Sequence, residues 1–183
     1  MGNPIEAVWN LLKTRLDAEP KSPLHVIEVG DVWKYLAALE EFIRYEEIGL
    51  NTTVDDEIKE VLTDAIKQCE SQAKRLSDFL TKEGIPLPNT AAAKPVSDPN
   101  SVPLGVKLTD DEIANGLAFK FVNLMMLCGK GQGDCLRNDL GLIWVEFYTE
   151  SLTFGTTLKT LMRKRGWLKV PPYYYPPGNT YDS

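Results

Sequence analysis

The chain has 183 residues, 43% of them apolar and 25% charged, with a formal net charge of -6 and a pI near 4.9. That length and apolar content suffice for one buried core and lie far from the low-hydrophobicity signature of disorder. The acidic balance excludes nucleic acid as the main partner, because phosphate recognition needs a concentrated field of Lys and Arg, and no apolar window approaches the roughly 18 residues of a membrane-spanning helix.

The first sixteen residues, MGNPIEAVWNLLKTRL, lack the basic start, apolar middle and small-residue cleavage site of a signal peptide, which predicts synthesis and folding in the cytoplasm. Pro4 to Leu16 reads as a short amphipathic helix through Ile5, Val8, Trp9 and Leu12, able to cap a bundle or pack on a partner. From Pro23 to Asn51 the residues Val29, Val32, Leu36, Leu39, Ile43 and Leu50 keep a 3-4 spacing on one helical stripe. Ser22 can cap this first long helix, and Asn51-Thr52-Thr53-Val54-Asp55 breaks it. The stripe resumes through Ile58, Leu62, Ala65, Cys69, Leu76 and Phe79 between Asp55 and about Glu83, with Gly84 as the stop. Each helix is roughly 40 Å long at its rise per residue, and the short turn makes them antiparallel neighbours.

Residues 84–108 carry Pro86, Pro88, Pro95, Pro99 and Pro103, which forbid regular helix and leave no clean strand. A connector this long inside a compact domain needs a geometric purpose. Extended chain of that length can travel the full height of a bundle and start the third helix at the opposite end. Thr109-Asp110-Asp111-Glu112 forms a capping box for that helix, whose stripe is Ile113, Leu117, Phe121, Leu124 and Cys128. It fades at Gly129, Gly131 and Gly133, so GKGQGD reads as a turn; without a preceding strand or a closing Lys-Ser it is not a phosphate loop. The fourth helix, Asn138 to Arg165, buries Leu140, Trp144, Phe147, Phe154, Leu158 and Leu161 and stops at Gly166. Its basic end, Arg163, Lys164 and Arg165, suits the helix dipole. Residues 167–183 form a Pro/Tyr-rich tail whose first half is expected to lie extended along the bundle. The expected fold is therefore all-α: a ferritin-like four-helix bundle with a long crossover between its second and third helices.

Such a shape raises the question of a di-iron site, which needs Glu-x-x-His pairs on two helices. The chain has one histidine and no Glu-x-x-His, so a complete di-iron site is excluded on ligand count. A single metal ion could draw on His25, Glu28 and Glu46 of the first helix with Glu146 or Glu150 of the fourth. The opposing reading pairs the same acids with Lys34, Arg44 or Lys120, because buried acids in bundles are usually ion-paired. Cys69, Cys128 and Cys135 lack zinc spacing and read as reduced core thiols. No catalytic triad can be assembled, and no cofactor is expected.

The strings NTTVDDEIKEVL, FLTKEGIPLP, GVKLTDDEIANGLAFK, LRNDLGLIW and LKTLMRKRGWLKVPPYYYPPG resemble a family from endospore-forming bacteria. Its members are domains of unknown function or candidate spore coat proteins, similar to ferritin-like bundles and to the spore coat protein F group. The resemblance runs from about Pro23 to Gly178 and is strongest in the GWLKVPPYYYPPG ending. It implies a non-enzymatic structural or interaction protein of sporulating cells, located in the spore coat. The alternative is a metal- or small-ligand-binding bundle with a redox or storage role. Trp167, Tyr173, Tyr174 and Tyr175 are the candidate docking residues for protein partners or for self-association as a homodimer, since aromatics between prolines offer large contact area at low entropy cost.

Overall fold

Helix caps set the element boundaries in the computed structural model, which describes residues 21–174. The expected N-terminal helix and Tyr175 lie outside the described residues. Within them are α1 (Val26–Leu50), α2 (Asp56–Lys82), α3 (Asp110–Asp134), α4 (Asn138–Arg165) and a 3-10 turn, Pro99–Ser101; no strand occurs among the described residues. α1 starts three residues later than Pro23 because His25, not Ser22, is its cap: His25 Nδ1 accepts from the Ile27 amide at 3.1 Å and Glu28 accepts from the His25 amide at 3.1 Å. Ser22 instead gives its carbonyl to Arg137. Asp55 caps α2 through the Ile58 amide at 3.1 Å. Thr109 and Glu112 form the expected capping box on α3. Gly84 and Gly166 take φ values of 74° and 73°, the left-handed conformation that ends a helix at little cost for glycine.

The reading of GKGQGD as a turn is corrected by the fold: α3 continues to Asp134, and the reversal is confined to Cys135–Arg137. Packing and pairing offset the low helix propensity of the glycines. Gly131 lies against the indole of Trp144, where an added Cβ would fall 2.5 Å from Cε2, and Lys130 bridges Asp31 and Asp134 at 2.7 Å each. Gly131→Ala should therefore lose about 2–3 kcal/mol in urea denaturation through overpacking; a loss under about 0.5 kcal/mol would show that the indole moves aside freely.

The crossover carries the chain back along the bundle. Its middle is held at the C-terminal end of α1, where Asn51 Nδ2 donates to the Pro95 carbonyl at 2.9 Å, the Ser97 amide donates to Asn51 Oδ1 at 2.8 Å, and the Lys94 amide donates to Glu47 Oε2 at 2.7 Å. At the same end Thr53 donates to Asp110 at 2.6 Å and Arg165 pairs with Asp55 at 2.9 Å. At the other end Arg137 pairs with Glu83 at 2.8 Å. With α1 taken as up, the helices run up, down, down, up. α1 packs on α2 and α3, and α4 on α3 and, more sparsely, on α2.

The core contains the expected stripes almost entirely. Val32, Leu36, Leu39 and Ile43 of α1, Ile58, Leu62, Ala65, Cys69 and Leu76 of α2, all five stripe residues of α3, and Leu140, Trp144, Phe147 and Leu158 of α4 are buried. Phe79, Phe154 and Leu161 pack on this core while remaining partly exposed.

Candidate functional site

Each of the four acidic residues expected at a metal site has taken a protein partner, and with His25 they are distributed over three places. At the lower end of the bundle, Glu28 is buried and its Oε1 accepts from the amides of Leu136 and Arg137 at 2.7 and 2.8 Å. Arg137 is the N-cap residue of α4 and Leu136 precedes it, so Glu28 fixes the backbone that leads into α4 and takes the N-cap amide, while Asp139 accepts from the Leu140 amide at 2.9 Å inside the first turn. Burial raises the Glu28 carboxyl, but the amides of Arg137, His25 and Leu136 outweigh it and hold the group below the ordinary carboxylate range. His25 Nε2 stands 3.9 Å from the same carboxylate, while its Nδ1 is committed to the cap of α1. Arg137 completes this end, paired with Asp139 at 2.7 Å and Glu83 at 2.8 Å; its hydrogen bonding brings the Asp139 carboxyl to about 2.

Glu46 lies eighteen positions beyond Glu28 on the same helix, about 27 Å away along the axis. It is fully buried, and Lys120 of α3, only 1% exposed, donates to its Oε1. Lys120 also lies 3.2 Å from Cys69 Sγ and 4.4 Å from the centroid of Phe121, whose ring stacks on Phe154 at 4.0 Å. Burial pushes the Lys120 ammonium down to about 7 and the Cys69 thiol up to about 12. A thiol held in that range is a neutral packing group, not a nucleophile.

The third place is the face between α2 and α4. Arg75, half-buried over the Phe147 ring, pairs with Glu146 and, at 3.3 Å, with Glu150. Glu150 also accepts from Gln72 at 2.7 Å, and Gln72 accepts from the buried Tyr35 hydroxyl at 3.1 Å. Cys128 lies 3.5 Å from the same hydroxyl, its thiol pushed up to about 11 by burial. Above this network opens a groove of about 790 Å³ with an apolar floor that includes Val61, Phe154 and Leu158.

The arrangement thus brings His25 and Glu28 together, and Glu146 and Glu150 together, and leaves Glu46 apart from both. Among the described residues no three His, Cys, Asp or Glu side chains lie close enough to hold a metal ion. A 3-4 rhythm specifies a shared face but not a shared height, and basic groups meet the acids at each height. Arg75, Gln72 and Arg137 were missed by sequence reasoning; their only signal was a polar residue interrupting or flanking an apolar stripe. Of the tail residues, Trp167 packs on the core with its carbonyl accepting from Asn115 at 3.2 Å, whereas Tyr173 and Tyr174 are 77% and 82% exposed. No helix among the described residues is long and apolar enough to cross a membrane.

Comparison with known proteins matches residues 15–179 to a family described as proteins of unknown function, DUF3231. The chain belongs to the DUF3231 family. A relative of this DUF3231 chain, the uncharacterized protein YvdQ of Bacillus subtilis (strain 168), is 28% identical over 152 residues, 83% of this chain and 89% of the relative. A candidate spore coat protein of Bacillus halodurans C-125, known from its crystal structure, is 26% identical with a TM-score of 0.82, over 85% of this chain and 98% of that one. A conserved hypothetical protein of Mycobacterium tuberculosis shares the fold alone, at 14% identity and a TM-score of 0.62 over 81% of this chain and 96% of its own. A family of unknown function and an all-α four-helix arrangement agree with the sequence-based expectation.

Proposed function

We propose that this DUF3231 chain is a non-enzymatic structural or interaction protein of sporulating bacteria, a component of the spore coat built as a ferritin-like bundle. The observation that carries this reading is the likeness, over 85% of the chain, to the candidate spore coat protein of Bacillus halodurans. The up, down, down, up order with one long crossover supports the ferritin-like description, and kinship with the spore coat protein F group belongs to the same reading. The internal chemistry supports a framework role: the ionised groups of the bundle are engaged with one another, as in Glu46–Lys120, Arg75–Glu146 and Arg137–Asp139. Groups tied in such pairs hold helices in place rather than waiting for a substrate. Tyr173 and Tyr174 offer exposed aromatic area next to prolines, the surface through which a coat partner or a second copy would dock.

A fluorescent fusion of the full chain, followed through sporulation in a Bacillus host, tests this directly. The expected result is a ring around the forespore and recovery of the protein in the coat extract of purified spores. Uniform cytoplasmic fluorescence with no protein in the coat extract would sink the assignment. Metal analysis of the untagged protein addresses the rival class: a full equivalent of iron or zinc retained through purification would favour a metal-binding bundle.

A further inference from the structure

We propose that the α2–α4 groove is the docking site for the chain's own N-terminal segment, residues 4–16. The groove is lined by Val61, Gln68, Thr153, Phe154, Thr157 and Leu158, with Asp64, Glu146 and Glu150 along its sides. It exists because α2 and α4 pack more sparsely than α1 and α3, which leaves Phe154 only partly covered. An apolar trough between two helices accepts a third helix laid along it, with anchors at i, i+3, i+4 and i+7. Ile5, Val8, Trp9 and Leu12 supply that spacing.

The attachment point selects this occupant. Lys21 pairs with Asp139 at 3.2 Å and the Ser22 carbonyl accepts from Arg137 at 3.3 Å, so the described chain begins at the foot of α4, beside the lower end of α2. From Asp139, Glu146 lies about 10 Å and Leu158 about 28 Å up the helix axis. Residues 17–20 can span at most about 14 Å, and thirteen helical residues add about 20 Å. A segment running up from that foot therefore reaches the upper end of the groove. In this direction Lys13 and Arg15 arrive level with Glu146 and Glu150, while Ile5 and Val8 reach Val61 and Leu158. Glu146 and Glu150 already hold Arg75, so at the lower end they add only their negative field to the approach of Lys13 and Arg15, and the apolar contacts at the upper end carry the docking. A four-residue tether holds the segment at an effective concentration in the millimolar range, which disfavours a separate copy of the chain at micromolar concentration.

The test is limited trypsin cleavage at Lys13 and Arg15, read by mass spectrometry on the full chain. In the wild type both bonds should be cut about tenfold or more slowly than in a synthetic peptide of residues 1–20. Thr153→Trp, which fills the groove from an exposed position, should return cleavage to near the peptide rate. Trp9→Ala, which alters only the segment, should do the same and stands if Thr153→Trp fails to fold. Wild-type cleavage at the peptide rate overturns the proposal, as does unchanged protection in both variants. Protection that disappears on dilution from about 100 to about 1 µM, with a dimeric mass at the higher concentration, also overturns it, because the segment then docks on a second copy.

Discussion

Lys120→Met should cost about 3–5 kcal/mol of folding stability, because it leaves the Glu46 carboxylate buried without its counter-charge. Glu46 is fully buried and its second oxygen, Oε2, has no hydrogen-bond partner among the described residues, so nothing nearby would take over from the ammonium. The double variant Glu46→Leu/Lys120→Met should recover most of that loss, since a well-packed apolar pair of similar volume avoids the desolvation cost altogether. Urea denaturation of the single and double variants at about pH 6, below the value near 7 at which the folded lysine loses its proton, gives both numbers. If the double variant proves as unstable as the single, the pair contributes through packing rather than charge. The pH dependence follows from the same burial. The folded lysine releases its proton near 7 whereas the unfolded one holds it to about 10.4. The unfolded chain therefore binds more protons between those values, and wild-type stability should rise with pH across that window relative to the double variant. An equal change in stability between pH 7 and pH 9.5 in the wild type and the double variant would contradict this.

Glu28→Ala should be the second costly substitution, at about 3–4 kcal/mol, since hydrogen bonds to a charged acceptor are worth about 1.5–3 kcal/mol each and are only partly additive. It removes the acceptor for the Leu136, Arg137 and His25 amides together, freeing the backbone that enters α4 and opening the capping box of α1. Glu28→Gln keeps an acceptor but loses the charge and should cost roughly half as much. Because the Glu28 carboxyl is held below its ordinary range, its contribution is complete above that range and is lost as pH falls through the depressed value. Acid denaturation should thus begin at higher pH in the wild type than in Glu28→Gln relative to each protein's own stability at neutral pH. Parallel acid limbs would show that Glu28 does not carry the linkage.

Helix positions were legible in the sequence because their signals were local and redundant. Thr109 with Glu112, Asp55, Gly84 and Gly166 each mark an end by side-chain or backbone chemistry that works within four residues. The two misreadings occurred where tertiary contacts overrode those signals. Three glycines in six residues read as a break until Trp144 is seen lying on Gly131, and Ser22 read as a cap until Arg137 claims its carbonyl. The candidate metal site depended on heights along separate helices, which periodicity does not encode. Lys120 was legible as a partner for the acids, yet its place beside Glu46 and Cys69 depends on how the two hairpins are docked. Arg75 and Gln72 gave no signal apart from standing next to a stripe.

The buried Glu46–Lys120 contact joins α1 to α3, members of different hairpins. Were one hairpin to slip by a single helical turn, about 5.4 Å, the ammonium would face hydrocarbon and the carboxylate would lose this counter-charge. Apolar stripes tolerate such a slip far better than a lone charge does. The pair therefore fixes the register in which the halves meet, a selectivity that leucines alone would not provide.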